Sequence, residues 1–272
     1  MTSPPIRIVL VEPSHPGNIG AVARAMKNMG LRELHLVRPH AFPNPEATTR
    51  ASGADDVLAA ARVHEDFEQA IAECGLVIGT SARSRHLPWD LVEPRECAAL
   101  AVESAATGNV ALVFGSERFG LSNVELTRCN LLVTIPTHPD YSSLNIAMAV
   151  QVIAYEIWLL TRPGVPAPQP RDVPLASAGD MARLYEHLER VLEEIDFRDR
   201  TGGDNLMTRI RRLFNRAQVD QNEVNILRGI LTAVQGKRRV AGSKAKGGST
   251  ESEKEGLGSR GSGRSGSSVE PS

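Results

Sequence analysis

Four short stretches carry the side chains whose types and spacing could do chemistry. The first, 12-EPSHPGNIGAVARAMKNMG-30, follows the apolar run IRIVLV and leads glycines into a helical pattern. That is the outline of a phosphate loop, yet both G-x-G-x-x-G and the Gly-Lys-Ser/Thr of a P-loop are missing. Instead, Arg24 sits on the early turns of the helix. In a helix beginning near Asn18, Gly20 and Arg24 are four apart and share a face. A glycine beneath an arginine would leave backbone open to a ligand under a fixed positive charge. A tight strand–helix turn with a solvated arginine accounts for the same pattern.

The second stretch, 79-GTSARSR-85, sets Arg83 and Arg85 at alternate positions among hydroxyls, which suits phosphate oxygens or a solvated turn equally. In the third, 115-GSERFGLS-122, Gly115 and Gly120 permit sharp turning, and the Glu117 carboxylate could meet a ribose hydroxyl or an arginine. Ser122 and Glu125 have the spacing of a capping box, which leaves Glu117 unexplained. The fourth, 135-IPTHPDYSSLNIAMAVQ-151, is a loop running into a helix whose free N–H groups could hold a ligand. Asn145 is odd at the head of an apolar helix, because a buried amide without a partner is costly. Capping by Ser142, Ser143 and Asn145 is the alternative. His15 and His138 have no catalytic partner in view and are taken as loop histidines.

Short apolar runs alternate with helical patterns through the first 160 residues. Strands are expected at 6–11, 33–37, 75–80, 109–115 and 130–136. Helices are expected near 20–29, 54–61 and 66–74, at 94–106 behind a proline in the first turn, at 121–129, and from 143 to 160. Unbroken Val/Ile/Leu strands, each followed by a helix, imply an α/β fold with a parallel sheet covered on both faces. Ligands of such sheets bind beyond the carboxyl ends of the strands. The loops after residues 11, 80, 115 and 136 then share one rim.

Beyond residue 160 the composition shifts. Residues 161–179 carry five prolines and are expected to form a stiff, extended linker. Three helical patterns follow, to about 235. In the second of them Leu206, Ile210, Leu213 and Phe214 should face inward, with Arg209, Arg211, Arg212 and Arg216 around them. From Gly236 the chain has almost nothing to bury and is expected to be a disordered tail. The expected organisation is therefore a domain over 1–160, a linker over 161–179, a helical module over 180–235 and a tail over 236–272.

Among 272 residues, 41% are hydrophobic and the formal net charge is −1, so no overall basic field marks a polyanion partner. Any such site must be a local patch. Cys74, Cys97 and Cys129 are scattered, without zinc spacing or a C-x-x-C pair, which suggests a reducing cytoplasm and no metal. The start lacks the basic and apolar segments of a signal peptide. The apolar segment from 143 to 160 is interrupted by Asn145, Gln151 and Glu156, which argues for a buried helix and no membrane partner. A Rossmann dehydrogenase is disfavoured: no G-x-G-x-x-G follows the first strand, and no acidic residue closes the second at Val37–Arg38.

Taken together, N-I-G-A-V-A-R-A-M, F-G-S-E-R-F-G-L-S and Y-S-S-L-N-I-A-M-A-V-Q resemble the motifs of the SPOUT superfamily of RNA methyltransferases. G-T-S-A-R-S-R and the helical extension are most similar to its tRNA 2′-O-ribose methylases acting in the anticodon loop. The resemblance implies a parallel-sheet SPOUT fold with a C-terminal trefoil knot, plus the small all-α module. It further implies a homodimer through the knot-region helices, and S-adenosylmethionine as cofactor. By motif position the cofactor contacts fall on Thr80, Ser81, Ala82, Gly115, Ile135, Ser142, Ser143 and Leu144.

Arg24 matches the family's essential arginine. Because a guanidinium stays protonated, its expected role is to hold a phosphate and the target ribose and to stabilise the developing alkoxide. Asn18, Glu117, Tyr141, Ser142 and Asn145 would shape the same pocket. Arg83 and Arg85 match positions associated with tRNA handling, and Arg209, Arg211 and Arg212 would add a tRNA-binding patch. The implied substrate is nucleotide 32 of tRNA, cytidine or uridine. Ribosomal RNA methylation within the superfamily and non-catalytic RNA binding are the alternatives.

Overall fold

A computed structural model describes residues 4–81, 90–166, 172–197 and 204–246. Its strands are β1 (Ile6–Val11), β2 (Glu33–Val37), β3 (Arg62–His64), β4 (Cys74–Thr80), β5 (Leu91–Val92), β6 (Asn109–Phe114) and β7 (Leu131–Val133). Its helices are α1 (Pro16–Asn28), α2 (Pro45–Ala51), α3 (Asp55–Ala59), α4 (Phe67–Ile71), α5 (Pro94–Ala105), α6 (Asn123–Leu126), α7 (Ile146–Thr161), α8 (Ala178–Glu194), α9 (Asp204–Ala217) and α10 (Gln221–Lys246).

All seven strands run parallel in one sheet, ordered β3-β2-β1-β6-β4-β7-β5. The five strands expected from the apolar runs form its middle. The two not expected, β3 and β5, are short and lie at its two edges, where few residues are buried and the apolar signal is weak. Alternate residues serve opposite layers. Ile6, Ile8 and Leu10 of β1 join the core under α1, α5 and α7, while Val9 and Val11 join the core under α4 and α6. The single charge in β1, Arg7, is buried; it donates to the Ala70 carbonyl at 3.0 Å and pairs with Glu73 at 3.2 Å. All three cysteines are free and buried, and burial pushes the thiols of Cys74 and Cys97 up to about 12.

Gly20 departs from its expected role. It is buried where α1 crosses α2, and a Cβ placed there would overlap the Ala47 carbonyl. It permits close helix packing and opens no backbone to a ligand. The partner helix was also not anticipated, although Asn44 caps it through a bond from Glu46 N–H and Pro45 stands at its first turn.

The C-terminal helices form a third core around Met181, Leu184, Tyr185, Leu192, Met207, Val219 and Val224. This module is docked against the sheet domain. Gly179 N–H donates to the Ala72 carbonyl at 2.9 Å, and Asn215 Nδ2 donates to the Cys129 and Thr127 carbonyls at 2.9 and 3.3 Å. The end of the proline-rich stretch takes part, since Leu175 bridges to Asp220 and Ala176 N–H bonds the Val219 carbonyl. Leu213 is exposed, contrary to expectation, and the guanidinium of Arg211 takes an inward place on the Tyr185 ring. Helix α10 runs on to Lys246, past Gly236, where an unstructured tail was expected. Gln, Lys, Arg and Ala propagate a helix readily once packing has nucleated it. Residues 247–272 lie outside the described residues.

Candidate active site

The described parts of the four stretches singled out for chemistry, which for the second are residues 79–81, meet at the carboxyl ends of β1, β6, β4 and β7, which are consecutive neighbours in the sheet. They enclose a cleft of about 580 Å³, lined among others by Asn18, Thr80, Ser81, Gly115, Glu117, Ile135, Tyr141, Ser142, Ser143, Leu144 and Asn145. Volumes of this size suit a cofactor or a drug-sized ligand.

Polar side chains from three separate stretches hold the cleft in shape. Glu117 accepts from Asn18 Nδ2 at 2.8 Å through one oxygen. Through the other it accepts from Ser14 N–H and Oγ at 3.0 and 2.9 Å. Asn145 caps α7 by accepting from Ala147 N–H at 2.9 Å and donates its amide to Asn18 Oδ1 at 3.0 Å. Glu117, Asn18 and Asn145 are thus one chain of hydrogen bonds across the mouth. Partial burial alone would raise the Glu117 carboxyl, but the bonds from Asn18 and Ser14 outweigh it and hold the group down to about 2. It is an anion engaged by neutral donors, and no arginine pairs with it among the described residues. The Asn145 amide, odd in sequence, is a helix cap with its second end committed to Asn18.

Gly115 follows β6, and a Cβ there would overlap the Gly120 backbone, because Gly120 N–H returns to the Ser116 carbonyl at 2.8 Å. Only glycine allows this closed turn, which also needs Gly120 at φ +69°. The expected capping box is present: Ser122 Oγ accepts from Glu125 N–H, and Glu125 accepts from Ser122 N–H. His138 lies exposed on its loop, and His15 is the N-cap residue of α1 without a side-chain cap.

Arg24 is not among the cleft's lining residues. It is exposed on α1, six residues and roughly 9 Å along the axis from Asn18. It makes no hydrogen bond or ion pair among the described residues. Ala82, Arg83 and Arg85 lie outside the described residues. Of the module's arginines, Arg209 is exposed, while Arg211 and Arg212 are half-buried, and the Arg211 guanidinium stacks 4.6 Å over Tyr185. Sequence reasoning missed Ser14, which carries no spacing signal, and the exposed Arg118–Phe119 pair at the tip of the Gly115–Gly120 turn.

Residues 5–155 match the family model described as the SpoU rRNA Methylase family, more than half of the chain. The chain belongs to that family. Residues 179–245 match the C-terminal domain of the tRNA methyltransferase TrmJ, which includes the unexpected extension of α10. A tRNA (cytidine/uridine/adenosine-2′-O-)-methyltransferase TrmJ of Pseudomonas aeruginosa is 50% identical over 241 residues, covering 85% of this chain and 93% of its own length. A tRNA (cytidine/uridine-2′-O-)-methyltransferase TrmJ of Pectobacterium atrosepticum is also 50% identical and is covered over 96% of its length. Among solved structures, TrmJ from Z. mobilis ZM4 aligns with a TM-score of 0.71 at 33% identity, covering 84% of this chain and 98% of that one. A probable methylase family protein from Haemophilus influenzae aligns at 0.56 with 40% identity, covering 88% and 100%. The family membership and the α/β parallel sheet agree with the resemblance carried by the three motifs.

Proposed function

We propose that this protein transfers a methyl group to the 2′-hydroxyl of nucleotide 32, cytidine or uridine, in the anticodon loop of tRNA. The observation that carries this reading is the convergence of the three motif stretches on one cleft, in a chain half identical to TrmJ tRNA methyltransferases over nearly their full length. The match of the helical module to the TrmJ C-terminal domain favours tRNA over ribosomal RNA.

S-adenosylmethionine fits the cleft. Apolar walls from Ile135 and Leu144 suit a purine, and Gly115 and Gly120 line the cleft with backbone alone. Thr80, Ser81, Gly115, Ile135, Ser142, Ser143 and Leu144 would hold it, together with Ala82, and when bound it would supply an electrophilic methyl group.

The chain's own residues do the rest. Glu117, pinned by Ser14, fixes Asn18, and Asn18 fixes Asn145, so the amides stand preorganised at the mouth without reorganisation during reaction. Arg24, cationic and unpaired among the described residues, is available to hold a backbone phosphate and to stabilise negative charge building on the ribose oxygen. Arg83, Arg85 and Arg209 would contact phosphates elsewhere along the tRNA, and Tyr141 the nucleotide at the mouth.

The protein would work in the cytoplasm as a homodimer, with the SPOUT knot formed by the chain around the cleft. Met148, Val152 and Tyr155 support the dimer: they follow helical spacing on α7 and remain exposed, an apolar stripe that a second copy would cover. No helix among the described residues is long and apolar enough to cross a membrane, and no group of metal-ligating side chains is found there.

The test is incubation with labelled S-adenosylmethionine and total tRNA, followed by mapping of the methylated nucleotide by mass spectrometry. Label at the ribose of nucleotide 32 is the expected result. Label at another nucleotide, or none, would reject the assignment.

A further inference from the structure

The two most exposed large apolar side chains among the described residues are Tyr141, at 81%, and Phe119, at 69%. Both line the same cleft. In a chain only 4% aromatic, that coincidence calls for a cause. A bare ring in water stabilises no fold, so something other than folding keeps it there.

The turn that carries Phe119 gives it no route inward. Gly120 N–H is tied to the Ser116 carbonyl, Gly115 is pressed against the Gly120 backbone, and Phe119 N–H reaches Ser116 Oγ at 3.4 Å. At the base of the turn, the Glu117 carboxylate is locked by Ser14 and Asn18. The tip is therefore rigid and holds its ring outward. The Arg118 guanidinium lies 5.0 Å from the ring centroid, covering one side and leaving the rest to solvent.

We infer that Phe119 is a stacking platform for the nucleobase of an unpaired RNA nucleotide beside the target ribose, with Arg118 backing the ring and meeting the adjoining phosphate. Unpaired loop bases present a π-face that stacks on aromatic rings, and a cation beside the ring adds attraction for the strand. Tyr141 stands on another stretch of the same mouth, so the strand is received between two aromatic side chains. A rigid platform suits this task, because little side-chain freedom is lost on binding. The inference rests on the RNA methylation proposed above and extends it to a residue given no role there.

The experiment measures kcat and KM for a tRNA transcript, with calorimetric affinity for S-adenosylmethionine and solution mass by light scattering, for the unaltered protein, Phe119→Ala, Phe119→Trp and Phe119→Leu. Phe119→Ala should raise the KM for tRNA roughly 5- to 150-fold, the range of one lost base stack. Cofactor affinity and mass should not change. Phe119→Trp should restore the KM, and Phe119→Leu should not. An unchanged KM in Phe119→Ala, or rescue by Leu as complete as by Trp, overturns the platform. A changed solution mass or weakened cofactor binding does so too, in favour of a contact between copies or a wall of the cofactor site. An unaltered protein that transfers no methyl to tRNA overturns the methylation proposal along with the inference, which separates the two failures.

Discussion

The cleft and the docked helical module use polar side chains in opposite ways. In the cleft, Glu117, Asn18 and Asn145 form one chain of hydrogen bonds, across stretches about 100 or more residues apart in sequence, with Ser14 holding the other carboxylate oxygen. In the module, the arginines that look like one basic patch divide. Arg211 lays its guanidinium on Tyr185, while Arg209 stays in solvent. At the junction the side-chain link is Asn215, 6% exposed, which accepts from Tyr185 Oη at 2.9 Å and donates to the Cys129 and Thr127 carbonyls. The difference teaches that side chains fixed to each other shape a site, whereas a charge left without partners is the one available to a ligand. By that criterion we propose Arg24 and Arg209 as the substrate-facing cations, with Arg211 spent on the Tyr185 ring.

Arg24→Ala should break this division most visibly. It should lower methyl transfer about 100- to 1000-fold, as loss of one preorganised charge-stabilising group does. Cofactor affinity by calorimetry should stay within about twofold, since Arg24 lies off the cleft lining and the expected change is in transition-state interactions alone. Retained transfer would remove Arg24 from the reacting centre. Asn215→Ala should act on the junction instead. It leaves the buried Cys129 carbonyl and the half-buried Thr127 carbonyl without this donor and should destabilise the fold by about 1–3 kcal/mol in a denaturant melt. A stability unchanged from the unaltered protein would mean that the module is not held by this link. The smallest effect is expected from Arg209→Ala: a few-fold weaker tRNA binding and a slope of affinity against salt shallower by about one counterion. If Arg211→Ala gives that loss and Arg209→Ala does not, the assignment of the two arginines is reversed.

Much of the sheet was legible because its central strands are buried on both sides, and burial demands the unbroken apolar runs visible in β1, β4 and β6. The edge strands β3 and β5 escaped because an edge makes no such demand. The four chemically suggestive stretches were legible as unusual and, through their motifs, as a family. Their partners were not. Nothing in the spacing says that Ser14 reaches Glu117, or that Gly20 faces Ala47, since both contacts depend on where distant elements cross.

The sequence by itself therefore determined the alternation of strands and helices, the glycine that closes the turn after β6, the helix cap at Ser122, and the family. These are local or compositional properties, set within a few residues by sterics and hydrogen bonding. The tertiary structure alone decided that the Gly115–Gly120 turn holds Phe119 out beside the cleft, that Glu117 is a clamp, and that Arg211 turns inward while Arg209 does not. Those outcomes belong to pairs of elements far apart in the chain, and only the packed sheet brings them within hydrogen-bond distance.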